Sequence, residues 1–263
     1  MVFQVPHRPL TAPDEQKHMI SFFKKKTGIG FPFYKLEADM HSHLIPGIDD
    51  GSPDISTSIE LIRGLEDLGY KRFVATPHAM EDLYPNNAHT IQAAYMALND
   101  VLAIEQPDTN IKFAAEYLVD GNVDNMLERK GAFLTVKDNW VLVELSFVSP
   151  PIQLKEVIFN LQMQGYQPIL AHPERYGYFH QQPSRYAEIK AMGCFFQANL
   201  LSFSGYYGSS VRQAAEYLVE QKLIDLLGTD LHHHRHLDQL RNLPLTPALG
   251  SLIDEQGVLN HLI

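Results

Sequence analysis

Seven short apolar stretches, most of them carrying a histidine or a carboxylate at or near the end, constrain this chain more than any other feature. They occupy residues 36–44, 71–78, 111–119, 140–146, 167–172, 194–203 and 224–232, and segments of helical period lie between them. In "ISTSIELIRGLEDLGY", Ile55, Ile59, Ile62, Leu65 and Leu68 share one face, and Gly69 supplies the C-terminal stop. Further helical periods cover residues 90–104, 153–164, 184–192 and 211–221. Seven strand–helix units in 263 residues, with no low-complexity linker or composition shift, predict one α/β domain. It is either a parallel barrel or a doubly wound open sheet.

The strand ends decide between these. "ADMHSH", "VATPH", "FAAEY", "LVELS" and "LAHPER" each carry a metal-competent residue at the end, as does "LLGTDLHH", while the remaining strand carries Gln197 and Asn199. In a parallel barrel these ends converge on one mouth, whereas an open sheet spreads them along a crevice. A distorted (β/α)7 TIM-like barrel over residues 36–263 is therefore expected, preceded by a loosely ordered extension at residues 1–35. That extension lacks the basic, apolar and small-residue order of a secretory signal, and its "FFKKK" is too short to hold a membrane firmly. The net charge of −10 argues against a nucleic-acid partner, although local cations can still hold an anionic substrate. The single cysteine, Cys194, excludes an internal disulfide and suits a reducing, cytoplasmic compartment.

His41 and His43 stand two apart on a strand, so both imidazoles project from one face and can share an ion. Glu116 and Glu144 sit within "KFAAEYLV" and "WVLVELSFV", where a buried carboxylate is costly unless it is paired or coordinates a metal. Asp230 and His232 repeat the spacing of the first histidine pair. Alone, the aspartates of "PGIDDG" read as turn residues and His78 as an ordinary hydrogen-bonded histidine. His233, His234 and His236 are expected to be exposed bystanders. With His172 and Asp50 included, nine donors accumulate: His41, His43, Asp50, His78, Glu116, Glu144, His172, Asp230 and His232. One catalytic ion commonly uses three, so nine suits two or three ions. All are nitrogen or oxygen donors, which fits manganese, iron, zinc or magnesium. Cys194 is followed by "FFQANL", with no glycine-rich turn and no arginine six residues on, so a buried, inert thiol is expected.

"DMHSH", "TPH", "AEY", "AHPER" and "GTDLHH", in this order, resemble the polymerase and histidinol phosphatase (PHP) superfamily. The extended forms "DMHSHLIPGIDDG" and "AHPERY" are most similar to the bacterial PHP-type protein-tyrosine phosphatases of capsule and exopolysaccharide loci, over residues 36–240. The resemblance implies a distorted seven-stranded barrel with three metal ions held by the nine donors, Asp50 being matched through "PGIDDG" and Glu144 through "VELS". It implies that Arg175 contacts phosphate and that Arg235 is a second such arginine. The substrate it implies is the tyrosine-rich tail of a bacterial autokinase. The expected reaction is metal-assisted hydrolysis of a phosphate monoester, with His232 a candidate acid for the leaving group. Histidinol phosphate is the rival substrate, and a non-catalytic metal-binding regulatory module is the rival of another class.

Overall fold

The computed structural model describes Met1 and residues 30–263, so "FFKKK" and most of the expected extension lie outside the described residues. Residues 30–35 pack onto the body, with Phe31 and Phe33 buried in its core. The strands are β1 (Ala38–Ser42), β2 (Arg72–Ala75), β3 (His78–Ala79), β4 (Asn110–Phe113), β5 (Glu116–Leu118), β6 (Trp140–Glu144), β7 (Gln167–Ala171), β8 (Phe195–Asn199) and β9 (Leu226–Gly228). The helices are α1 (Ile55–Leu68), α2 (Ala88–Glu105), α3 (Gly121–Glu128), α4 (Leu154–Met163), α5 (Gly177–His180), α6 (Ser184–Ala191), α7 (Ser209–Glu220), α8 (His234–Arg241) and α9 (Pro247–Ser251). None of them is long and apolar enough to cross a membrane.

Each expected strand contains an observed one, but two of the seven are cut in half. Residues 71–78 form β2 and β3, and residues 111–119 form β4 and β5. The break falls at Thr76–Pro77, where proline has no N–H to give to a ladder. Hydrogen bonds persist across it, from Ala114 N–H to Ala75 O (2.8 Å) and from Glu116 N–H to Pro77 O (3.0 Å), but the pairing is no longer regular. Two parallel sheets result, ordered β1-β2-β4 and β3-β5-β6-β7-β8-β9. This corrects the expected TIM-like barrel: the fold is a mixed α/β domain with parallel sheets, and the described residues form no closed barrel.

The edges of the two sheets meet where β1 faces β9. A single parallel bridge joins Ser42 to Leu231, supported by His43 N–H to Leu231 O (2.9 Å) and Asp230 N–H to His41 O (2.8 Å). Deeper down, the side chain of Asn260 stands in for strand pairing. It accepts from Leu227 N–H (2.9 Å) and donates to Leu227 O (2.7 Å) and Ala38 O (3.1 Å), all fully buried. Asn260→Ala leaves these groups without partners and is expected to cost about 3 kcal/mol, since each unsatisfied buried group costs ~1–3 kcal/mol. Urea unfolding measures this, and a loss below about 0.5 kcal/mol, the ordinary range of a surface substitution, would show that the seam does not need the amide.

A small inner core of Met40, Val74, Leu142, Ile169 and Leu226 lies between the sheets, and a much larger one lies between sheets and helices. β1 holds an extra residue relative to β2 between Asp39 and Ser42. That bulge resets the two-residue alternation, so Met40 can join the inner core while the adjacent His41 also faces inward.

Candidate metal centre

The ends of the strands deliver the expected donors to one buried volume. Glu116, at the start of β5, is its middle. Its Oε2 lies 3.1 Å from His78 Nδ1, 3.2 Å from His41 Nε2 and 3.4 Å from His43 Nε2, while Oε1 accepts from His172 Nε2 at 3.0 Å. Asp230, just past β9, places Oδ1 3.4 Å from His43 Nε2 and 3.5 Å from both His41 Nε2 and His232 Nδ1. Glu144 closes β6 with Oε1 2.7 Å from His78 Nδ1. Asp50 is the exposed member, 3.5 Å from His78 Nε2 and 3.6 Å from His232 Nε2.

Several of these contacts are not hydrogen bonds. His41 Nε2, His43 Nε2, His78 Nδ1, Glu116 Oε2 and Glu144 Oε1 are buried and make none among the described residues. Five such atoms facing one volume are anomalous in a protein interior unless a cation satisfies them together. The histidine protons agree with this. His41 Nδ1 meets Gln197 Oε1 at 2.8 Å, His43 Nδ1 meets Asp49 Oδ2 at 2.7 Å, and His232 Nδ1 meets the Asp230 carbonyl at 2.9 Å. Each partner is an acceptor, so the proton sits on Nδ1 and the Nε2 lone pair is free to bind a metal. Three overlapping donor sets arise: His43, Asp50, His78 and His232; His41, His43 and Glu116; His78, Glu116 and Glu144. The residues present fit a polynuclear centre of divalent ions.

The charges point the same way. Burial pushes Glu116 up, but the neighbouring imidazoles of His41 and His78 outweigh it and hold the carboxyl well below the usual range. Burial and the adjacent Glu116 push Glu144 up to about 7. Burial opposes charge on His43, yet Asp49, Asp230 and Glu116 raise it well above an ordinary histidine. The acids of the cluster therefore recruit positive charge, which protons or metal ions can supply. Two of the six non-glycine residues with positive φ among the described residues lie here: His172 and Asp230 hold φ of +33° and +50°, in the left-handed region disfavoured by side chains.

Glycines make room for this convergence. A Cβ at Gly51 would lie 2.4 Å from His43 Cβ, and one at Gly228 would lie 2.8 Å from His41 Cβ. This is why the acidic turn after His43 closes on glycine.

Beside the cluster opens a cavity of about 240 Å³, lined in part by Asp50, His172, Arg175, Asp230 and His232. Arg175 donates from one guanidinium nitrogen to Asp230 Oδ2 at 2.9 Å. The rings of Phe147 and Tyr207 flank its guanidinium carbon at 4.8 and 4.4 Å. Arg235, the other expected arginine, is not brought to the cavity: it is exposed and lies 5.9 Å from the ring of Tyr206. The expected exposure holds for His233 and His234, and the bystander reading for His234, which pairs with Glu60 at 3.1 Å. His236 is buried, and its Nδ1 accepts from His232 N–H at 3.3 Å; His233 lines the cavity and caps α8 by accepting from His236 N–H.

Sequence reasoning passed over Asp49, Gln197 and Asn199 as functional groups. Asn199 donates to Asp230 Oδ2 at 2.7 Å and accepts from Gln197 at 2.9 Å, so the strand without donors orients the donors of its neighbours. Their i, i+2 spacing at the end of β8 was the available signal. Glu174 belongs with them: it is buried and accepts from Asn199 N–H and the Ser202 hydroxyl, at 2.8 and 2.7 Å.

Cys194 lies before the first residue of β8, at the end of that strand remote from the cluster, about 16 Å from Asn199 by strand rise. Burial pushes its thiol up to about 12, so no thiolate is present at neutral pH. Cys194→Ser is expected to leave phosphate release within about twofold of wild type, as for any site outside the reacting groups. A loss of more than about a hundredfold, the scale of a catalytic group, would overturn this.

A parallel α/β domain with a buried histidine–carboxylate cluster at its strand ends has the donors that a metal centre needs. Residues 37–241 match the family model described as "Capsular polysaccharide synthesis, CpsB/CapC", and the chain belongs to that family. It is 29% identical over 219 residues to the tyrosine-protein phosphatase YwqE of Bacillus subtilis (strain 168), covering 83% of this chain and 85% of that protein. It is 24% identical over 200 residues to the tyrosine-protein phosphatase CpsB of Streptococcus pneumoniae, covering 74% of this chain and 82% of the other. Among solved structures, it matches one described with YwqE and CpsB as unique metal-dependent tyrosine phosphatases, with a TM-score of 0.73 and 26% identity over 86% of this chain and 90% of that one. The resemblance carried by "DMHSHLIPGIDDG" and "AHPERY" is borne out.

Proposed function

We propose that this protein is a metal-dependent protein-tyrosine phosphatase, with His41, His43, Asp50, His78, Glu116, Glu144, His172, Asp230 and His232 holding its ions. The observation that carries this reading is the convergence of buried, unpaired imidazole and carboxylate atoms on Glu116, beside an arginine at the cavity. The family and the names of the relatives support it. Two or three ions, manganese first among the candidates, agree with nine nitrogen and oxygen donors in overlapping sets. Bound there, such ions supply Lewis acidity toward phosphate oxygens and a water of lowered pKa.

The chain's own groups do the rest. Arg175 offers a planar set of donors to phosphate oxygens, and Asp230 holds one edge of it in place. Burial and neighbouring His43 lower His232 to about 4, so it is neutral near pH 7 and serves as a ligand better than as a proton donor. The natural substrate we assign is a flexible tyrosine-bearing tail, that of a bacterial tyrosine autokinase of capsule or exopolysaccharide synthesis. A tail can enter a cavity at the strand ends that a tyrosine on a folded surface reaches poorly. The cytoplasm is the compartment this reading assigns, and the single cysteine supports it.

Phosphate release from a phosphotyrosyl peptide, with and without manganese, tests the assignment against histidinol phosphate. Manganese-dependent, chelator-sensitive turnover of the peptide is expected. A preference for histidinol phosphate above about a hundredfold would reassign the substrate. Full metal loading with no hydrolysis of any aryl phosphate would favour a binding module.

A further inference from the structure

Phe147 is a large ring left half in solvent at the edge of a charged cavity. It is 49% exposed, follows β6 three residues after Glu144, and lines the cavity. Its inner contacts fix its position: 4.8 Å to the guanidinium carbon of Arg175, 5.8 Å and near-parallel to the His172 ring, and 5.4 Å to the Tyr176 ring. The chain beyond it stays apolar and open, with Val148 90% and Ile152 101% exposed. Scattered apolar residues on a surface need no explanation, but Phe147 is a large exposed ring that lines an otherwise ionic cavity.

A phosphate held by Arg175 has this ring beside it. Aromatic rings attract when their centroids are about 4.5–7 Å apart, and Phe147, 4.8 Å from the guanidinium carbon, is near enough to meet the ring of an aryl ester. An alkyl ester offers no ring to meet it. The geometry points to Phe147 as the residue that selects aryl over alkyl phosphates, by stacking against the ring of the leaving group. This rests on the phosphatase reading above and supplies the physical basis for its preference for phosphotyrosine. Phe147 is remote from the expected donors in role: it holds no ion and moves no proton.

The test compares the manganese-loaded wild type with Phe147→Ala and Phe147→Tyr. Inhibition by phenylphosphonate and by methylphosphonate reads binding without turnover, and phenyl phosphate hydrolysis reads KM and kcat separately. Phe147→Ala is expected to weaken phenylphosphonate and raise KM for phenyl phosphate, each roughly tenfold, the scale of one aromatic contact with its buried area. Methylphosphonate inhibition and kcat should change by less than about threefold, as for a residue acting through binding alone. Phe147→Tyr, which keeps the ring, should restore the wild-type values. Equal weakening of both phosphonates would mean that the substitution merely disturbs Arg175, and no weakening of either would mean that the ring is idle; both overturn the inference alone. A wild type that hydrolyses no aryl phosphate overturns the phosphatase reading, and this inference with it.

Discussion

Glu116→Gln is expected to empty the metal centre and lower phosphate release by about a thousandfold, the upper range for removing one preorganised charged group. The substitution keeps the size of the side chain and one carbonyl oxygen. It removes the negative charge from the point where His41, His43 and His78 present nitrogens within 3.1–3.4 Å. It also risks placing amide hydrogens where a cation is meant to lie. The site is shared, because Glu116 belongs to two of the three donor sets, so its loss should reduce metal content by more than one equivalent. Two measurements check this: elemental analysis of the purified variant, and thermal unfolding with and without manganese. In wild type, manganese at a hundred times its Kd adds about 2.7 kcal/mol of stability by mass action, and the variant should lose that increment. Metal content equal to wild type with turnover within about tenfold would remove Glu116 from the centre, because a shared charged ligand costs more than that.

The residues gathered in this cluster were legible because chemistry and position coincided. His41 and Glu116 are metal-competent residues inside apolar runs, and in a parallel sheet such positions gather at one end. The groups that aim them were not legible, because an amide carries no chemical signature. Gln197 becomes meaningful only once β8 lies beside β9 and its oxygen meets His41 Nδ1. The same holds for Phe147 and Tyr207, sixty residues apart in sequence and joined only through Arg175. His236 failed for a different reason. The run of histidines hid an amphipathic turn in which His236, Leu237 and Leu240 are buried, and His233 is its cap. The split of the sheet was visible as Pro77 but not interpretable, since a missing donor breaks a ladder only where a neighbour needed it. β1 met β9 through a side chain, Asn260, far along the chain, and no local period announces such a replacement.

Arg175→Lys should separate substrate binding from metal binding, which Glu116→Gln cannot do. We expect kcat/KM for a phosphotyrosyl peptide to fall by about a hundredfold or more, with metal content unchanged. Lysine keeps the charge, so a simple electrostatic role would survive the exchange. What is lost is the planar array: one edge engages Asp230 at 2.9 Å while rings lie 4.8 and 4.4 Å from the guanidinium carbon. A single ammonium cannot hold Asp230 and two phosphate oxygens in that geometry. Asp230 keeps its other anchor, the Asn199 amide at 2.7 Å, so the carboxylate should stay in place for the ions. Loss of metal together with activity would show that Arg175 serves Asp230 rather than the phosphate. Retention of both to within about threefold, no more than the cost of a weak exposed charge, would show that charge alone suffices and that the planar array is not needed.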